Sequence, residues 1–255
     1  MKKQVIFTVC DDKNKWMLPI FTKSLRHWHT EEELPLVVYG QEELDKEKDE
    51  NKFYKATPMF ARRLIKEYDL VIKADVDQLI TGNLKHILDN FDNYDVGVVY
   101  NINRSDPLRY GYIGYGTIQP AEYINCGLVA MRSEKFINHW WKLCNSDNFS
   151  RMQFGEQGFL NCLVYYGDYK VRFLDRWDPF HQIQAWNGLI AKGEGVHMVV
   201  RNGELWLPKG VDNYPDHDVR VVAYHWAGGG NEPKMNYRMH FPEPVIDWID
   251  GVLLK

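Results

Sequence analysis

Two aspartates one residue apart, Asp75 and Asp77, directly follow a short apolar run typical of a buried strand. Ligands of open α/β sheets bind at the carboxyl ends of the strands, where these side chains are expected to lie. Carboxylate oxygens select Mg²⁺ or Mn²⁺, and such ions commonly bridge protein carboxylates to the phosphates of a nucleotide. The pair therefore predicts a divalent-cation site at the edge of a sheet.

A second Asp-x-Asp pair, Asp216 and Asp218, shows why context matters. At ordinary aspartate frequencies the pattern occurs by chance roughly once in a chain of this length. The second pair follows a proline-containing turn and no strand, so we interpret it as a solvated loop or a turn cap.

Other polar residues follow predicted strands. His225 ends one strand and precedes three glycines and Lys234. An imidazole completing an Asp/Asp/His set suits Mn²⁺ or another first-row ion, and glycine N–H groups with a lysine suit a pyrophosphate. A lone histidine at a strand end is otherwise usually structural.

Asp11 and Asp12 end the first strand. They could accept hydrogen bonds from a nucleobase or ribose, or only cap a helix.

The chain alternates strand-like and helix-like segments, which predicts an α/β fold: a mostly parallel twisted sheet with helices on both faces. No linker divides the 255 residues, so we expect a single domain, 1–255. Thr57 is the predicted N-cap of a helix that begins at Pro58, and Ser133 that of another. Further strands are predicted at 4–10, 34–40, 96–100, 124–131, 171–174, 196–200 and 219–225, and further helices at 17–28, 156–166 and 245–254.

Composition excludes several classes of protein. A formal net charge of −4 without a basic patch argues against a nucleic-acid-binding surface. No segment approaches the ~20 apolar residues of a membrane span, and the start of the chain does not read as a signal peptide. The four cysteines are too dispersed for a CxxC-type zinc site, so we expect reduced thiols in a cytoplasmic protein.

In their order along most of the chain, these residues resemble the motifs of the GT-A nucleotide-sugar glycosyltransferases. The closest resemblance is to the family 8 retaining galactosyl- and glucosyltransferases, including glycogenin-like and bacterial lipooligosaccharide enzymes. It implies a metal held by Asp75, Asp77 and His225. It also implies that a nucleoside lies near the aspartates of TVCDDKN and a diphosphate near Gly228 and Lys234. The tail departs from the family pattern, because a proline precedes the lysine and no tryptophan follows it.

The resemblance also implies residues around the donor sugar. Arg62 matches a donor-contacting arginine, with Arg63 as the alternative, and Asn125 matches the first residue of an Asn-Ser-Gly strand. Glu156 and Gln157 match an acidic-Gln pair beside the sugar. Each residue has a structural alternative: the arginine can pair with a surface carboxylate, Asn125 can close a turn, and Glu156 can begin a helix.

The activity that the resemblance implies is metal-dependent transfer of a hexose, glucose or galactose, from a UDP-sugar to a saccharide or other hydroxyl acceptor. The nucleotide would bind about residues 1–100 and the acceptor about residues 101–255. Retention is favoured, with Gln157 behind the anomeric carbon; an inverting enzyme would need a base, for which Glu156 is the acidic candidate. Residues 110–115, Trp177 and Trp186 are candidate acceptor contacts. The sequence leaves the oligomeric state undetermined.

Two alternatives stay open. A non-catalytic sugar-binding module could retain the same fold. A metal-dependent nucleotidyltransferase would also use carboxylate-held cations, although the chain has neither a G-x-x-x-x-G-K-[ST] loop nor a G-x-G-x-x-G after its first strand.

Overall fold

Strands and helices alternate along the chain and build two β-sheets, as described by a computed structural model. The structure describes residues 3–47, 51–89, 91–100, 123–152, 154–174, 181–187, 198–209, 217–227 and 243–255. Residues 101–122, for which the sequence predicts no regular strand or helix, lie outside the described residues.

The first sheet has six strands in the order β2-β1-β3-β6-β5-β7. Three neighbouring pairs are parallel, and the two pairs that involve β6 are antiparallel. β3 lies between β1 and β6 and is buried along its whole length, which explains its nearly continuous apolar sequence. The strands are β1 (Gln4–Val9), β2 (Leu36–Tyr39), β3 (Leu70–Ala74), β5 (Val96–Tyr100), β6 (Ile124–Met131) and β7 (Val171–Phe173).

A second sheet, which the sequence did not predict, follows the order β4-β11-β10-β9. In addition β8 pairs in parallel with β11, whereas the other pairs are antiparallel. β4 and β10 are three and four residues long, too short for a periodic pattern to reveal them. The strands are β4 (Gln78–Ile80), β8 (His181–Asn187), β9 (Val199–Arg201), β10 (Glu204–Leu207) and β11 (Val219–Ala227).

Helices cover both faces of the first sheet, which confirms the predicted α/β class. Helices α3, α5 and α6 share one apolar core with one face of this sheet. On the other face the core includes α1 and strand β4, while α7 packs against the second sheet. The helices are α1 (Leu18–Trp28), α2 (Gln41–Asp45), α3 (Ala56–Leu64), α4 (Lys85–Asp89), α5 (Glu134–Cys144), α6 (Glu156–Tyr166) and α7 (Glu243–Trp248), followed by a π-helical turn (Ile249–Leu253).

The two predicted N-caps had different outcomes. Ser133 caps α5 as expected, because its hydroxyl accepts a hydrogen bond from the backbone N–H of Phe136. The prediction for Thr57 was wrong, since α3 begins at Ala56 and Thr57 lies inside its first turn. The N–H and the hydroxyl of Thr57 both donate instead to the carboxylate of Glu156, 99 residues away. That non-local contact has no signature in the local sequence.

None of the helices in the described parts of the chain has the length and apolarity that a membrane crossing requires.

Candidate metal centre and adjoining cavity

Asp75, Asp77 and His225 lie together where the two sheets meet. Each contributes one potential ligand atom, and these three atoms lie within 4.8 Å of one another. The Nε2 atom of His225 is 3.1 Å from Oδ1 of Asp77 and 3.6 Å from Oδ2 of Asp75. The arrangement that the spacing of the aspartates and the strand-end histidine predicted is therefore present.

A short turn between β3 and β4 aims the two carboxylates. The N–H of Asp75 donates to the carbonyl of Gly127 at 2.7 Å, which extends the pairing of β3 with β6 by one residue. The N–H of Gln78 then donates to the carbonyl of Asp75 at 3.1 Å. Because Gln78 is the partner of His225 in the β4–β11 pair, this turn brings both aspartates to the histidine.

Gly127 leaves the space that the histidine ring occupies. A Cβ atom at this position would lie 2.2 Å from Cε1 of His225 and 2.6 Å from Oδ1 of Asn125, which is far closer than real contacts. Asn125 is buried, and its Oδ1 accepts a hydrogen bond from the N–H of Gly127 at 2.6 Å. Asn125 thus fixes the local backbone beside the imidazole, and glycine is required by close approach.

Charges at the centre compensate one another. Burial raises the pKa of Asp75, opposed by the neighbouring Lys73 ammonium, and Asp77 raises it further. Burial lowers the pKa of His225, but the carboxylates of Asp77 and Asp75 together outweigh this effect and the net pKa is raised. Burial likewise lowers the pKa of Lys73, and the neighbouring acidic groups, Asp75 first among them, together reverse this into a net increase.

The donor set fits a divalent cation. Oδ1 of Asp77 is buried and has no hydrogen bond of good geometry among the described residues, although Nε2 of His225 is near it. Native proteins rarely leave a buried polar atom in that state without an ion or a water. Two carboxylates and one imidazole suit Mn²⁺ or Mg²⁺ and leave coordination positions for phosphate oxygens.

A cavity of about 540 Å³ adjoins the centre. Lys73, Asp75, Cys126, Glu156 and Gln157 line its polar end. Its other end is largely aromatic, with Asn51, Phe53, Tyr54, Phe149, Ser150, Met152, Phe154 and Gly155. The predicted acidic-Gln pair therefore lies on the same cavity as Asp75.

Hydrogen bonds hold Glu156 and Gln157 firmly. The Oε2 and Oε1 atoms of Glu156 accept from the N–H and the hydroxyl of Thr57 at 3.0 and 2.6 Å. Oε1 of Gln157 accepts from the N–H of Cys126 at 2.9 Å, and its Nε2 donates to the Tyr123 hydroxyl at 3.1 Å. Burial raises the pKa of Glu156 to about 7, although Lys73 and the Thr57 hydrogen bonds act in the opposite direction.

The predicted arginine contacts are not at this cavity in the described structure. Nε of Arg62 donates to Oδ1 of Asn138 at 2.8 Å, and its guanidinium lies over the Trp141 ring at 5.5 Å. Arg63 instead pairs with Glu47. Both arginines thus contact neighbouring surface groups, and neither lines the cavity.

The aspartates after the first strand lie in a tight turn. Oδ1 of Asp11 accepts from the backbone N–H and the side-chain amide of Asn14 at 2.9 and 2.7 Å. The helix-cap alternative was wrong, because α1 has Met17 at its N-cap and Asp11 only closes the turn before it. Asp12 is exposed. Nothing in these contacts tests the nucleoside role.

The remaining predicted residues fall into two groups. The carboxylate of Asp218 accepts from the Lys209 N–H at 2.7 Å and pairs with Arg201, as expected of a turn residue. Trp186 lies in strand β8. Gly228, Lys234, Asp216, Trp177 and residues 110–115 lie outside the described residues.

Sequence reasoning missed Lys73 and the aromatic end of the cavity. A lysine inside the otherwise apolar run of β3 was a visible signal, because charged residues are almost never fully buried unless paired. The aromatic residues come from two short 3₁₀ turns, Lys52–Lys55 and Phe149–Arg151, and from Phe154. Such segments are too short for a periodic pattern to reveal them.

The chain matches no protein-family model and no curated protein sequence. Among solved structures, the galactosyltransferase LgtC in complex with donor and acceptor sugar analogs is similar, with a TM-score of 0.52 and 16% sequence identity. The alignment covers 88% of this chain and 87% of LgtC. At this identity the similarity shows the fold, which is the α/β GT-A type predicted above.

Two larger proteins are similar over part of their length. The bifunctional glycosyltransferase WbbM has a TM-score of 0.48 and 16% identity over 74% of this chain, and the glycosyltransferase GlyE of Streptococcus pneumoniae TIGR4 has 0.43 and 16% over 68%. The chain spans only 41% and 45% of those two proteins, respectively.

Proposed function

We propose that the chain is a metal-dependent glycosyltransferase that moves a hexose, glucose or galactose, from a UDP-sugar to a hydroxyl of a saccharide or other acceptor. The observation that carries the proposal is the Asp75, Asp77 and His225 cluster beside a cavity of about 540 Å³. The identity of nucleotide and sugar rests on the family resemblance of the sequence motifs.

The three ligand residues would hold Mn²⁺ or Mg²⁺, which when bound supplies a Lewis acid for the departing diphosphate. Asp77 and His225 are both largely buried, so their geometry is set before any ligand arrives. Preorganised groups of this kind lose little free energy to reorganisation during the reaction. The cluster is therefore suited to stabilise the negative charge that develops on the departing diphosphate.

The cavity offers two kinds of surface to a sugar. Hydroxyl groups can bond to the carboxylate of Glu156 and the amide of Gln157 at the polar end, while apolar sugar faces pack on aromatic rings such as Tyr54 and Phe154. This pairing of polar and aromatic walls supports a carbohydrate as the ligand.

We further propose that transfer retains the anomeric configuration. Inversion requires a carboxylate base free to take the proton of the acceptor hydroxyl. Both oxygens of Glu156 already accept hydrogen bonds from Thr57, which favours a binding role for this side chain. Gln157 supplies a neutral amide, fixed by Cys126 and Tyr123, that can face the anomeric carbon.

The deciding experiment is a panel of nucleotide sugars tested with and without Mn²⁺. A donor at a hundred times its Kd should stabilise the protein by about 2.7 kcal/mol, and only in the presence of the metal. Turnover is then measured as acceptor glycosylation or donor hydrolysis, and NMR of the product gives its anomeric configuration. Stabilisation without turnover would identify a sugar-binding module, and release of sugar 1-phosphate by transfer of the nucleotidyl group would identify a nucleotidyltransferase. No stabilisation by any donor would refute the proposal.

A further inference from the structure

Lys73 is a charged residue in a fully buried strand of the first sheet. It belongs to β3, where all five residues are buried, and its side chain is only 3% exposed. Removing an ammonium from water is costly unless good partners replace the lost hydration. A lysine in this position therefore calls for a specific role.

The partners of Lys73 connect it directly to the metal centre. Its Nζ donates to Oδ1 of Asp75 and, at 2.7 Å, to the backbone carbonyl of Cys126. Oδ2 of Asp75 is the oxygen that faces His225 Nε2, 3.6 Å away. The two oxygens of this carboxylate are thus divided between the ammonium and the cluster of ligand atoms.

We propose that Lys73 is a positioning residue of the metal centre, which holds Asp75 so that it binds the cation through Oδ2 alone. This inference rests on the metal site of the proposed function and deepens it. Carboxylates that bind metals are commonly oriented by a hydrogen-bond partner behind them, and here that partner is a buried ammonium.

The charge of Lys73 has a second effect on what the centre binds. Two ionised aspartates would neutralise a divalent cation, and the ammonium of Lys73 adds one positive charge to this group. The coordination positions that remain then favour an anionic ligand. A nucleoside diphosphate satisfies this requirement, whereas a neutral sugar alone does not.

The test compares the affinity for Mn²⁺ alone between the native protein and the Lys73→Met variant, by titration followed through the electron paramagnetic resonance of free Mn²⁺. Loss of the positive charge alone would favour the cation, so a fall in affinity reports the lost orientation of Asp75. We expect this loss of orientation to dominate and the affinity to fall by a factor of about 10 to 100, the usual effect of losing a partner behind a metal ligand. Lys55→Met is the matched control, because Lys55 is also buried but its ammonium lies over the Phe149 ring. We expect this control to bind Mn²⁺ with native affinity.

A second variant covers the case in which Lys73→Met does not fold. Lys73→Gln keeps a polar donor without the charge, and we expect it to weaken Mn²⁺ binding in the same direction by a smaller factor. Native affinity in whichever of the two variants folds would overturn the role of Lys73. The outcome is separable from the proposed function: a protein that binds Mn²⁺ through this centre but transfers no sugar refutes the transferase while leaving the role of Lys73 intact.

Discussion

The metal centre and the polar residues of the adjoining cavity differ in how far their hydrogen bonds are satisfied. At the metal centre, Nδ1 of His225 is buried without a hydrogen-bond partner among the described residues. Oδ1 of Asp77 is also buried and has only Nε2 of His225 near it, at 3.1 Å, without good hydrogen-bond geometry. By contrast, both oxygens of Glu156 and both amide atoms of Gln157 have partners. Unsatisfied buried groups reduce stability and mark places where a ligand completes the structure, whereas satisfied groups form a rigid scaffold.

The comparison predicts that removing a carboxylate from the metal centre abolishes activity at little cost in stability. For Asp77→Ala we expect kcat to fall by about a thousandfold, corresponding to about 4 kcal/mol of lost transition-state stabilisation. Without metal, the melting temperature should change little, because the lost attraction between Asp77 and His225 is offset by relief of the repulsion between Asp77 and Asp75. Steady-state kinetics and calorimetry measure the two effects.

The second Asp-x-Asp pair provides the control for this experiment. Asp218→Ala removes a carboxylate bonded to Arg201 and to the Lys209 N–H, so we expect native kcat and slightly lower stability. Near-native turnover in the Asp77→Ala variant would show that the Asp77 carboxylate is not needed for activity.

The close approach of His225 to Gly127 allows the metal centre to be disturbed without touching a ligand. Gly127→Ala places a methyl group 2.2 Å from Cε1 of His225, so the ring must move. We expect Mn²⁺ affinity to fall by a factor of about 10 to 100, similar to other losses of ligand orientation, and overpacking to cost about 1–3 kcal/mol. Isothermal titration calorimetry and chemical denaturation measure these quantities.

Gly251→Ala is the matched control, because a Cβ atom there meets nothing within 4 Å. We expect it to bind Mn²⁺ as the native protein does. An unchanged Mn²⁺ affinity in a folded Gly127→Ala protein would show that the histidine is not a ligand.

The aromatic end of the cavity should affect the acceptor more than the donor. Phe154 is 56% exposed and has a φ of 60°, and Phe154→Ala removes its ring while leaving the backbone strain associated with any Cβ. Losing about 1 kcal/mol of ring contact would raise the KM for the acceptor about fivefold, with the KM for the donor unchanged. Tyr166→Ala, at an exposed aromatic residue that does not line the cavity, should leave both KM values unchanged. Equal increases in both KM values for Phe154→Ala would instead indicate a general change in folding.

The raised pKa of Glu156 predicts the smallest effect, a pH dependence of stability. Because burial raises its pKa from 4.5 to about 7, the folded state binds the proton more tightly than the unfolded state does. The stability of the native protein should therefore fall as the pH rises from about 4.5 to about 7, while Glu156→Gln, which cannot ionise, should lack this part of the decrease.

Melting temperatures of both proteins at pH 5 and pH 8 provide the test. Relative to the native protein, Glu156→Gln should gain several degrees between the two values. A constant difference would show that Glu156 ionises in the folded state as readily as in the unfolded one, and the contrast with the metal centre would then be wrong.

The sequence predicted the strands and helices that are long enough to show a continuous or periodic apolar pattern. The bounds of β5, β6 and α6 agree with their predicted segments, and the Ser133 cap is where the side-chain chemistry requires it. The aspartate pair was recognisable because it follows a strand, and strand ends meet at the edge of a sheet. His225 was predicted at the end of a strand, but β11 continues to Ala227, so this residue lies inside the strand.

Contacts that depend on distant parts of the chain could not be predicted in this way. The pairing of β4 with β11 joins residues almost 150 positions apart, and β4 itself is only three residues long. The bonds from Thr57 to Glu156 and the position of Arg62 against α5 likewise follow from the packing of helices. The charge pattern around Lys73 was visible in the sequence, but its partner Cys126 was not.

The location of Asp75 and His225 has a mechanical consequence. Asp75 extends from β3 of the first sheet, whereas His225 belongs to β11 of the second, so an ion bound by both would cross-link the two sheets. Metal loading should then slow amide hydrogen exchange in β4 and β11 more than in β1 or β2, and a chelator should reverse that protection. The ion would thereby stabilise the contact between the two sheets, in addition to any chemical role.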